Sequence, residues 1–106
     1  MRGGMSEVEW LPIRYGAFWD VPRLFHLHWR GSHLVFDCNF VDAADEYSPE
    51  YVVFSVPSPP PDRGSWQPCI DTGVAVGRIP VDQVRFDETR RRFVAKASIA
   101  SVLGTL

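Results

Sequence analysis

His26, His28 and Asp37, with His33 a short way along, are the residues whose types and spacing come nearest to chemistry in this chain. On an extended strand, residues i and i+2 share a face about 6.5 to 7 Å apart, and a cross-strand partner comes within about 5.5 Å at Cβ. Two imidazoles and a carboxylate so placed could close on a divalent metal and leave positions for water or substrate. That makes a metal-dependent enzyme or a metal-binding protein one reading of the chain. The plainer reading is a solvated sheet face on which His26 pairs with Asp37, and no metal or other cofactor is expected. No nucleophile with an oriented base is visible, and no phosphate-binding Gly loop, H-E-x-x-H or G-x-S-x-G motif occurs.

Other groups carry weaker signals. Asp42, Asp45, Glu46 and Glu50 crowd one loop, but the spacing lacks the alternation and Gly of a calcium loop, so solvation and helix capping account for them. Arg90, Arg91 and Arg92 form a single triplet without a basic stripe, which argues against nucleic acid as a partner. Trp66 is the anomaly. It sits in the stretch Pro57 to Gly73, which holds five of the nine prolines and cannot pair as a strand. A Trp in a long surface loop either pins the loop or waits for a partner. Since interface hot spots favour Trp and Arg, Trp66 with Arg63 is the candidate partner-binding pair.

The elements that must position these residues centre on Leu24 to Phe40. Period-2 alternation sets Phe25, Leu27 and Trp29 on one face and Leu24, His26, His28 and Arg30 on the other. A turn on Gly31-Ser32, with Gly supplying positive φ at the first central position, predicts the pairs Phe25–Cys38, Leu27–Phe36, Trp29–Leu34 and His26–Asp37. Glu7 to Ile13 reads as an edge strand ending at Pro12, and Arg14 to Val21 as a bend. Asp42 starts a single helical turn, Tyr51 to Val56 is a strand buried on both faces, and Val74 to Ile79 is a strand with Gly77 as a bulge. For the C-terminal part, a short returning strand near Arg92 to Val94 and a helix from Ala97 to Leu103 are expected. Phe86 would then pair with Arg91 or Phe93 in a hairpin.

The 106 residues, 45% hydrophobic and 13% aromatic, suit one globular domain. The net charge of −2 is too small to argue for a nucleic-acid or membrane partner. Its distribution is uneven, at −5 over residues 1–62 and +3 over residues 63–106. No apolar stretch is long enough to span a bilayer, Met1 to Ser6 reads as a loose leader, and Cys38 and Cys69 form no metal pattern, so a cytoplasmic protein is expected. The fold expected is mainly β, bordering on α+β: an antiparallel sheet of five or six strands curled into a barrel or half-barrel, with one short C-terminal helix. The function expected is a non-catalytic protein-interaction module. Self-association through the edge strand Glu7 to Leu11 is a further alternative.

Overall fold

The computed structural model describes residues 8–104. Among the described residues the chain forms eight strands: β1 Trp10–Trp19, β2 Val21–Trp29, β3 Ser32–Asp37, β4 Phe40–Val41, β5 Glu46–Tyr47, β6 Glu50–Val56, β7 Val74–Pro80 and β8 Phe93–Ala95. Two short helices, α1 Gln67–Asp71 and α2 Ala100–Leu103, and three 3-10 turns accompany them there. Six strands form one sheet in the order β7-β6-β3-β2-β1-β8, with every pairing antiparallel, while β4 and β5 make a separate small hairpin. The sheet is open, so the closed-barrel form of the expectation is corrected: β7 and β8 end the order and do not pair with each other.

The central hairpin forms, but in a different register. Leu27 pairs with Leu34, Phe25 with Phe36, His28 with His33 and Leu24 with Asp37. The turn is Arg30-Gly31, not Gly31-Ser32, with φ of 49° and 83°. Positive φ at both central residues is what matches a two-residue turn to the right-handed twist of the strands. The shift is two residues, so every side chain keeps its face while every partner changes.

Phe25, Leu27, Leu34, Phe36, Tyr51, Val53 and Ile79 pack on that face beneath Ile99, Val102 and Leu103. The aromatic centre is ordered: Phe25 stacks on Phe36 at 4.5 Å, and Tyr51 and Phe86 meet Phe25 edge-on. The Tyr51 hydroxyl, deep in this core, donates to the Pro22 carbonyl. The opposite face holds a smaller cluster of Val35, Val56, Trp66 and Ile70. Hence β6, between β3 and β7, is covered on both sides as its unalternating sequence implies.

Several boundaries differ from expectation for identifiable reasons. β1 runs through both Pro12 and Gly16, absorbing the bend as register shifts between Tyr15 and Phe18. Pro12 is tolerated because odd-numbered residues such as Ile13, which donates to the Arg92 carbonyl, make the bonds to β8, and pairing with β2 begins only at Ile13. Trp10 to Pro12 pairs with β8, so the Trp10–Leu11 part of the proposed self-association edge is already covered. Glu7, like the leader Met1 to Ser6, lies outside the described residues. Phe86 bridges Val94, in neither expected register. Asp87 makes that possible by accepting from the Arg90 and Phe93 amides at 3.0 and 2.8 Å, folding the triplet into a loop with Arg91 at positive φ. Val76 is the extra residue of the bulge beside Gly77. The C-terminal segment is a 3-10 turn, Lys96–Ile99, followed by α2.

Candidate functional site

The shared face of β2 and β3 brings the three histidines together. His28 stands opposite His33, and their rings stack at 4.7 Å. His26 Nε2 lies 3.1 Å from His33 Nδ1, with ring centroids 5.2 Å apart. Burial is the first cause that holds the His26 imidazole down to about 4, followed by Arg14, His33 and His28; burial and then His28 also lower His33. Asp37 is not part of this group. The two-residue shift puts it opposite Leu24, where burial pushes its carboxyl up and the Asn39 amide, with its nitrogen turned toward the carboxylate, donates to both oxygens at 3.2 Å. Stacked rings also aim their lone pairs in parallel planes, not at one point. Among the described residues no group of three His, Cys, Asp or Glu side chains is placed to hold a metal ion.

Trp66 is buried, at 5% exposure, and pins the Pro-rich loop from beneath. Gly16 makes its berth, since a Cβ there would come 2.8 Å from Trp66 Cδ2. Its indole N–H donates to the Pro61 carbonyl at 3.1 Å. Arg14 closes the arrangement from β1, with its guanidinium 5.4 Å from the Trp66 ring centroid, donating to the Pro60 carbonyl at 2.6 Å and to Asp62 at 2.8 Å. The short helix α1, unforeseen in the sequence, then sets Ile70 beside Trp66. Arg63 is exposed, and the guanidinium over the Trp66 ring is that of Arg14.

A concavity lies elsewhere, at the end of the sheet where β1 turns into β2. It measures about 800 Å³. Trp19, Asp20, Val21 and Arg23 form one wall, Phe40 and Asp45 to Pro49 a second, and Val81, Asp82 and Val84 a third. Trp19 is 63% exposed and Phe40 48%, which is unusual for rings that could have joined the core. Local backbone explains the first: Asp20 turns the chain alone at φ 67°, between the paired residues Trp19 and Val21, leaving Trp19 at the tip. Phe40 is held edge-on against Tyr47 at 5.1 Å across the β4–β5 hairpin.

Four carboxylates, Asp20, Asp45, Glu46 and Asp82, share this groove with one arginine. Among the described residues the ion pairs are Arg14–Asp62, Arg78–Glu50 and Lys96–Glu9, so none of these four is engaged. Arg23 shows how the groove holds a cation. Its guanidinium sits 4.3 Å from the Tyr47 ring centroid while Nε donates to the Trp19 carbonyl at 2.9 Å. Solvation and helix capping alone do not account for Asp45 and Glu46, because Phe40 and Tyr47 flank them.

Comparison with known proteins adds nothing to this geometry: no family model, no curated protein and no solved structure matches the chain.

Proposed function

We propose that the chain is a non-catalytic interaction module that docks a partner segment through a Lys or Arg side chain in the groove between the β1–β2 turn and the β4–β5 hairpin. The observation that carries this reading is the exposure of Trp19 and Phe40 around four carboxylates that have no ion-pair partner among the described residues. An aromatic face attracts a cation by its quadrupole, by about 0.5 to 1 kcal/mol when exposed and more when water is excluded. Neighbouring carboxylates add charge complementarity, which speeds encounter and rejects acidic partners. The groove replaces Trp66 and Arg63 as the docking surface, because Trp66 has no face left to offer. No helix among the described residues is long and apolar enough to cross a membrane. Two unbridged thiols, Cys38 and Cys69, support a reducing compartment such as the cytoplasm.

The test is a titration of isotope-labelled protein with blocked tetra-arginine, tetra-lysine and tetra-glutamate peptides, followed by amide and indole resonances. The reading expects saturable shifts at Trp19, Phe40 and Tyr47 with the two basic peptides only. Trp19→Ala should weaken binding about 5- to 30-fold, as for an interface hot spot. Shifts scattered over the surface, or an affinity indifferent to Trp19→Ala, would overturn it.

A further inference from the structure

The histidine stack and the Pro-rich loop meet at one residue, Arg14. It stands directly opposite His26 on the same sheet face, and the same guanidinium holds the loop through Pro60 and Asp62 and lies over Trp66. His26 and His33 are joined across 3.1 Å by two ring nitrogens. Such a contact holds only while one nitrogen carries a proton and the other keeps its lone pair. When both are protonated the hydrogen bond has no acceptor, and two cations face each other beside a third.

We infer that His26 and His33 form an acid-operated latch: double protonation of the pair releases the segment Pro57 to Gly73 from the sheet and uncovers Trp66, while the core on the other face stays closed. This goes beyond the docking groove, which involves none of these residues.

The surroundings favour one direction of change. Facing His26 are Arg14 from β1, His28 on its own strand and His33 from β3, all of which oppose a positive charge there. The carboxylate nearest to Arg14 is Asp62 in the loop, already bonded to it and almost fully exposed, so it is a weak counterion for the imidazoles. Asp37 lies beyond the pair, opposite Leu24. The β6 residues opposite this part of β3, Phe54 and Val56, do not titrate. From α1 the titrating neighbour is Cys69, whose thiol is held up by burial and stays neutral in acid. What the loop would leave behind on the sheet is Val35 and Val56 with Leu24 and Phe54 beside them, a cluster much smaller than the main core. The opening is therefore local, of the sub-global kind seen in native-state exchange.

The experiment is native-state hydrogen exchange at about pH 7 and about pH 4.5, corrected for the intrinsic rate, on the full chain and on the His26→Gln/His33→Gln double variant. The wild type is expected to lose at least about tenfold protection across residues 57–73 in acid, leaving them exchanging well ahead of β2, β3 and β6, and the variant to lose none of it. Equal loss in both proteins, or residues 57–73 exchanging no faster than the sheet in acid, would overturn the latch. Should the double variant fail to fold, the wild type decides alone. The His26 and His33 ring resonances and the Trp66 indole N–H must titrate together, and an indole signal that stays still while the rings titrate would refute the coupling.

Discussion

Gly16 and Trp66 touch so closely that position 16 has no room for a side chain: a Cβ there would lie 2.8 Å from Trp66 Cδ2 and 2.7 Å from Leu24 Cδ2. The contact ties the Pro-rich loop to the first strand at the place where β1 bends. It converts a stretch without strand pairing into a cover for the second sheet face.

Gly16→Ala should therefore destabilise the protein by about 1 to 3 kcal/mol, the usual range for forcing an extra carbon into packed surroundings. Urea unfolding measures it. In the double variant with Trp66→Leu the two effects should be markedly non-additive, since the smaller side chain removes the clash. Strict additivity would mean that the glycine answers to strand geometry instead.

Arg14 is held by two different kinds of partner, and they should separate. Its bond to Asp62 involves a carboxylate side chain that is 95% exposed, so Asp62→Asn should change stability by less than about 0.5 kcal/mol. Arg14→Gln also gives up the Pro60 carbonyl and the Trp66 ring, and should cost about 1 to 2 kcal/mol. Tryptic cleavage after the exposed Arg63 is the local readout, expected to quicken several-fold in Arg14→Gln and hardly at all in Asp62→Asn.

The lowered imidazole of His26 has a definite sign in the pH dependence of stability. With a folded value of about 4, the unfolded chain, titrating at about 6.5, takes up the proton first as pH falls. Stability from this group is complete above about pH 6.5 and declines progressively down to about pH 4. Asp37, raised by burial, acts in the opposite sense, gaining stability as pH falls toward the carboxylate range. Urea midpoints should thus fall more steeply in wild type than in His26→Gln between about pH 6.5 and 4.5. Identical slopes would remove His26 from the account.

Arg30 occupies the first central position of the β2–β3 turn at φ 49°, where its Cβ is unwelcome. Arg30→Asn would install the preferred Asn-Gly pair and should raise stability by a few tenths to about 1 kcal/mol, less what is lost from the Arg30 guanidinium over Trp29. Placing Asn at Ser32 instead, which the Gly31-Ser32 turn would reward, should bring no gain.

What the sequence by itself determined was which side of the sheet each residue takes. Strict period-2 alternation in Phe25, Leu27 and Trp29 decides the core face: Phe25 and Leu27 are buried there with Leu34 and Phe36 across the strand, and Trp29 packs partly buried against them. Alternation is blind to a shift of two, however, because parity survives it. Only the backbone of the turn, with positive φ at both Arg30 and Gly31, chose the partners, and that choice moved Asp37 away from His26 and set His28 against His33. The tertiary structure also decided what no local pattern encodes. β8 closes on β1 across most of the chain, Arg14 reaches the loop, and residues near 20, 45 and 82 converge on one groove. Those contacts depend on strand order, which arises from the packing of distant segments against a common core, and each strand's sequence reports only its own two faces.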